Sequence, residues 1–179
     1  MGALDPTLPH IAAGLLAIVF LGGAWQKLRD LAGLAGAIEQ YRLLPAALVA
    51  SAARMLVVTE LAAGLLLLPV PTRAAGAALA ALLLGTVTLA VLLNLLRGRA
   101  DIDCGCGGPE GRQHLSWGLV LRNALLGAAA LAAAGAETRR EPVWLDGLTV
   151  IAGTLALYGL YAAANQLMAN RPRLLKLKG

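Results

Sequence analysis

Five apolar runs of about 20 residues each dictate what this chain can fold into. They cover roughly residues 8–25, 45–68, 73–96, 115–134 and 144–168. A helix of about 20 residues rises about 30 Å, the thickness of a bilayer's hydrocarbon core. The composition points the same way. Hydrophobic residues make up 59% of the 179 and charged residues 14%, whereas soluble domains average about 45–50% and about 25%. The expected fold is an all-α integral membrane protein in one membrane domain, residues 1–179: a bundle of four core transmembrane helices plus a fifth. Small residues fill the spans and suit close helix packing. Pro45, Pro69, Pro71, Pro109 and Pro142 punctuate helix ends. No Lys or Arg precedes the first run, so it reads as a retained helix, since a secretory signal opens on positive charge. Residues 28–44, "LRDLAGLAGAIEQYRLL", are too polar to span. Leu31, Leu34, Ile38 and Leu43 recur at helical spacing, which predicts a short helix lying at the membrane interface.

The formal net charge of +5 needs no nucleic acid, because no basic run interleaved with aromatics marks such a groove. Excess Lys and Arg in a membrane protein usually mark its cytoplasmic loops. With five spans, the connections after the first and third runs share one side with the C-terminal tail. That side carries Lys27, Arg29, Arg42, Arg97, Arg99, Arg112, Arg171, Arg173, Lys176 and Lys178; the other carries Arg73, Arg139 and Arg140. By charge, the loop after the third span faces the cytoplasm. Trp25 and Trp117 on that side, and Trp144 on the other, read as interface anchors.

That loop, "RADIDCGCGGPEGRQH", holds both cysteines of the chain, Cys104 and Cys106. Free cysteine is usually a small buried hydrophobe, yet the five apolar runs contain none. Two thiols one residue apart can close a small, strained ring, and strained or exposed disulfides are the labile, catalytic kind. Gly105, Gly107 and Gly108 permit unusual dihedrals and close approach of a partner chain. Dithiol exchange is the leading reading. A two-thiolate site for a soft ion such as Cu(I) or mercury is the alternative, although no Met or third Cys flanks the pair to complete a metal shell. The plainest reading is a Gly-rich connector.

Ionisable side chains inside spans are expensive and are usually paired or functional. Arg54 and Glu60 fall in the second run, Asn94 near the end of the third, Arg122 and Asn123 in the fourth, and Asn165 and Gln166 near the end of the fifth. Counted along helices, Arg122 lies roughly 10 Å, Arg54 roughly 13 Å and Glu60 roughly 22 Å from the cysteine end. This predicts a polar pocket beneath the dithiol, able to hold a quinone-like acceptor or relay protons. The structural alternative is a Glu60–Arg122 or Glu60–Arg54 ion pair fixing the bundle. His114, beside the loop, is a candidate acid–base group.

Two blocks carry a family resemblance. "GGAWQKLRDLAGLAGAIEQYRLLP" followed by "TELAAGLLLL" is similar to the opening of DoxX-like membrane proteins. "NLLRGRADIDCGCGG" followed by "SWGLVLRNALL" resembles the methylamine-utilisation MauE family. Gly107 departs from the aromatic that many members carry after the second cysteine. The resemblance implies a role in maturing methylamine dehydrogenase, whose small subunit is rich in disulfides, in the cell inner (cytoplasmic) membrane. It implies a membrane-anchored, periplasmic, thioredoxin-fold (MauD-like) partner. By position, Cys104 and Cys106 become the redox pair, with Arg122 and Asn123 in support. No cofactor follows with certainty, and quinone is the candidate. The implied partner places the loop outside, opposite to the charge distribution. Three functions follow: thiol–disulfide exchange, soft-metal handling, or a non-catalytic assembly factor.

Overall fold

In a computed structural model of the chain, the apolar runs are helices joined by short connections. The structure describes residues 5–105, 113–135 and 143–176, with side chains to residue 170 in the last segment. The elements are α1 (Thr7–Arg29), α2 (Leu31–Gln40), α3 (Ala46–Leu66), a single 3-10 turn (Val70–Thr72), α4 (Arg73–Leu96), α5 (Trp117–Ala133) and α6 (Trp144–Lys176). Four segments are long and apolar enough to cross a membrane: α1, α3, α4 with its preceding turn, and the part of α6 up to Asn170. α5 is a shorter apolar helix of 17 residues. The chain is an all-α, multi-pass membrane protein.

Local chemistry sets the ends. α1 continues four residues past Trp25, with Lys27 and Arg29 in its last turn, where cations favour the negative end of the helix dipole. Asp30 then starts α2 by accepting the Gly33 N–H at 2.8 Å, the N-cap role that short acidic side chains fill. Arg42 turns the chain with φ 51°, a left-handed conformation that L residues adopt at a cost. Pro45 precedes the first turn of α3, where its missing N–H is no loss. At the far end, the Thr72 hydroxyl donates to the Leu66 carbonyl at 2.8 Å, closing the α3–α4 hairpin.

α1 is the hub. It packs against α3, α5 and α6, while α3 with α4 and α4 with α5 complete a four-helix ring. α6 lies outside that ring against α1, and α2 lies along α3. The half of the bundle away from the cysteines is filled largely with small side chains. Ala12, Ala13, Ala17, Ala63, Ala77, Ala80, Ala130 and Ala133 join Leu16, Phe20, Leu67 and Leu126 in one buried cluster. Alanine lets backbones approach closely. Backbone meets backbone closely at Gly76, where an added Cβ would stand 2.7 Å from the Leu67 backbone nitrogen. A Gly76→Ala change must therefore push α3 and α4 apart. It should cost about 1–3 kcal/mol, as overpacking typically does, read as a lowered unfolding midpoint in detergent micelles. Outward-facing Met55, Val58, Leu82, Leu121, Leu125, Leu131, Ile151 and Leu160 are exposed, as a lipid-facing surface requires.

Towards the cysteines the packing changes. A second cluster gathers Tyr41, Val91, Ile102, Cys104, Leu115 and Leu119, and a third joins Ala24 of α1, Leu34 of α2, and Ala53 and Val57 of α3. Bulkier and polar residues hold the helices apart here, and a large cavity opens between them.

Candidate functional site beneath the cysteine loop

The loop after α4 returns on itself in a short antiparallel pairing. The Cys104 N–H donates to the Gln113 carbonyl at 2.8 Å, and the Leu115 N–H to the Ile102 carbonyl at 3.1 Å. An isolated bridge links Asp103 to His114. The Asp103 carboxylate accepts the Gly105 N–H at 3.0 Å. Gly105 sits at φ 71° with its missing Cβ 3.0 Å from the methyl of Ala37. Glycine is needed there twice, for the left-handed backbone and for the contact with α2. Cys104 is buried and disulfide-bonded. The chain's other cysteine, Cys106, lies outside the described residues.

Tyr41, at the end of α2, donates its hydroxyl to the Cys104 carbonyl at 3.3 Å. Burial, helped by the Asp103 carboxylate, pushes the phenol's pKa up to about 12. It is a neutral hydrogen-bond donor throughout the physiological range. Arg99 ties the same corner together. Its guanidinium donates to the Gln40 carbonyl at 2.8 Å, the Tyr41 carbonyl at 3.4 Å and the Asn94 side-chain oxygen at 3.1 Å. Asn94 is completely buried and donates to the Ala90 carbonyl at 3.1 Å. Asn94 and Arg99 thus brace the loop against α2.

Beneath this loop lies a cavity of about 1250 Å³. Cys104, Gln113 and Tyr41 line it from above; Arg122 and Asn123 of α5, Lys27 of α1 and Glu60 of α3 line it from the sides; Tyr158, Tyr161 and Asn165 of α6 complete it. Arg122 is half-buried and held by amide oxygens. Its Nε and one terminal nitrogen donate to Asn123 at 3.2 and 3.1 Å, and the other terminal nitrogen donates to Asn165 at 3.0 Å. Asn123 in turn donates to the Thr88 hydroxyl of α4 at 3.1 Å. Tyr158 and Tyr161 stack with ring centres 6.3 Å apart.

The polar residues expected to form a pocket divide. Cys104, Arg122, Asn123, Glu60 and His114 line one cavity. His114 stands at its rim, exposed, with Nδ1 3.2 Å from the Asp101 carbonyl. Asn94 supports the loop from behind. Arg54 does not join them; it is exposed on the outer face of α3. Glu60 pairs with neither Arg122 nor Arg54. Its two oxygens accept from Lys27 Nζ at 2.6 and 2.8 Å. Gly23 lies beside the pair, where an added Cβ would make ordinary contacts, 3.6 Å from Nζ and 3.8 Å from Glu60. Lys27 is thus a bundle residue rather than a loop charge. Among the described residues, no group of three His, Cys, Asp or Glu side chains converges as a metal site.

Sequence reasoning missed Lys27, Gln113 and the tyrosines. A signal existed for the last. The chain has three tyrosines, and Tyr41, Tyr158 and Tyr161 all line the cavity.

Comparison with known proteins gives the family. Residues 5–135 match the family model described as "Methylamine utilisation protein MauE". The chain is 40% identical over 156 residues to the methylamine utilization protein MauE of Paracoccus denitrificans, covering 85% of this chain and 82% of that one. It is 38% identical over 180 residues to the MauE protein of Paracoccus versutus, covering 98% and 96%. It is 34% identical over 165 residues to that of Methylorubrum extorquens, covering 92% and 83%. No solved structure matches it significantly. With the match running through α1 to the end of α5 and including the cysteine loop, this chain belongs to the MauE family of methylamine utilisation proteins.

Proposed function

We propose that this protein is a thiol–disulfide redox protein of the inner membrane, one membrane domain whose Cys104 and Cys106 accept electrons from a thioredoxin-fold partner. That partner would in turn form disulfides in a client such as methylamine dehydrogenase. One observation carries the reading: a disulfide-bonded Cys104 forms part of the roof of a large intramembrane cavity, rather than sitting in an apolar core as an inert cysteine does. The exchange balances as follows. A thiolate of the reduced partner attacks Cys106 Sγ, the S–S bond breaks, and Cys104 leaves as a thiolate facing the cavity. The partner's second thiol then resolves the mixed disulfide. The partner leaves oxidised and the two loop cysteines are left as thiols. Burial of Cys104 directs the attack to Cys106.

The exchange is assigned to the outer face of the membrane, since disulfides persist in oxidising compartments. Lys27, one of the charges that favoured the opposite orientation, is neutralised inside the bundle by Glu60. Labelling intact cells with a membrane-impermeant maleimide tests side and redox state together. The expected result is no label on the isolated wild-type protein until the cells are treated with a reductant, and then one label, on Cys106. Labelling only after the membrane is permeabilised would overturn the orientation.

A further inference from the structure

The cavity wall carries hydrogen-bond donors that the protein leaves unused. Arg122 has five N–H groups. Its nitrogens reach Asn123 and Asn165 oxygens in three hydrogen bonds, and no described carboxylate forms an ion pair with it. Gln113, across the loop pairing from Cys104, is 4% exposed, and its Nε2 has no hydrogen-bond partner among the described residues. Buried donors without acceptors are costly. Gln113 Nε2 is such a donor, and Arg122, with five N–H groups and three hydrogen bonds, lines the same cavity; together they call for a ligand with oxygen acceptors. The ligand need not be an anion, because Lys27 and Glu60 neutralise each other on the same wall. Its body is largely apolar and flat, since leucines, valines, isoleucines, Phe20 and the stacked Tyr158–Tyr161 pair supply much of the remaining lining. Leu89 of α4 and Tyr158 of α6 line the cavity and are 56% and 37% exposed, which gives the ligand a way in between helices from the bilayer. Typical ligand pockets run to about 1,000 Å³; at about 1250 Å³ this one has room for a ring and part of a tail.

We infer that the cavity binds a lipid-soluble quinone, with one carbonyl oxygen on Arg122 and the other towards Gln113, as the electron acceptor for the Cys104–Cys106 thiols. The inference rests on the exchange reading above and completes its cycle. Two S–H bonds break and one S–S bond forms. The electron pair passes to the quinone ring, and each carbonyl oxygen takes one proton, giving the hydroquinone and the disulfide. Arg122 stabilises the negative charge that develops on oxygen, as donors fixed before the reaction do in general.

The test uses full-length protein in neutral phosphatidylcholine nanodiscs with decylubiquinone as probe, read by equilibrium binding. The Arg54→Gln variant, altered on the outer face of α3 away from the cavity, is expected to bind with wild-type Kd. Arg122→Met should weaken binding about 10- to 100-fold, the worth of a hydrogen bond to a charged group. Arg122→Lys should recover part of it, and Gln113→Leu should give a smaller loss. Melting curves of each variant separate weakened binding from misfolding. Binding unchanged by both Arg122→Met and Gln113→Leu would overturn the assignment, as would phosphatidylglycerol displacing the quinone. Wild-type protein reduced by dithiothreitol should regain its disulfide when decylubiquinone is added without oxygen. Exchange with dithiothreitol without reoxidation by quinone would overturn the acceptor while leaving the exchange reading intact. Failure of the exchange itself would overturn that earlier reading, and the binding arms alone would then decide the cavity.

Discussion

The Cys104→Ser variant is expected to accumulate as a mixed disulfide with its thioredoxin-fold partner, and Cys106→Ser is expected to trap none. The asymmetry follows from burial. Cys104 is covered by the loop pairing and by Tyr41, so a bulky partner cannot reach its sulfur. A protein carrying Cys106 alone keeps the exchangeable thiol and loses the internal one that would release the partner. A protein carrying Cys104 alone keeps a thiol that faces the cavity. Client disulfide formation should fall to background in both, because a disulfide needs two sulfurs. Non-reducing electrophoresis of membranes from cells producing each variant, followed by mass spectrometry of the shifted band, reads both effects. Equal trapping by the two variants would remove the division of roles. Full client oxidation with both cysteines replaced would remove the redox role altogether.

The helices were legible in sequence because each apolar run satisfies its backbone internally, and a bilayer admits little else. The interfacial helix was legible for a related reason: Asp30 caps it, and Leu34 and Ala37 form its buried stripe. The cysteine loop stood out because polarity is scarce in this chain. Partnership was much harder to read. Distance along one helix says nothing of how its neighbour is staggered, so Lys27 counted as a loop charge until α1 and α3 were placed side by side. Arg54 and Arg122 looked alike as arginines inside spans, yet one faces outward and the other the cavity. That difference is a matter of helix rotation, and α3, with apolar residues on all sides, offers no periodic stripe to fix it. Gln113 carried no signal, since its burial depends on a loop pairing that sequence does not specify.

Glu60→Gln should be among the most destabilising single changes in the bundle, and a second change should largely undo it. Both side chains are mostly buried, 14% exposed for Lys27 and 11% for Glu60, at a spacing of 2.6 Å. Removing one member leaves the other as an uncompensated charge among apolar helices, which typically costs about 3–5 kcal/mol. Glu60→Gln strands the ammonium of Lys27, and Lys27→Met strands the carboxylate of Glu60. The double variant Lys27→Met/Glu60→Gln strands neither, and replacing a buried pair with neutral groups is often close to neutral. Its unfolding midpoint in detergent micelles should therefore lie nearer the wild type than either single variant does. A double-mutant cycle isolates the coupling, because these two residues touch directly. Simple additivity of the two losses would show that the pair does not hold α1 against α3. The same double variant addresses chemistry. If the pair serves only to hold α1 against α3 beside the cavity, disulfide formation in the client recovers along with stability.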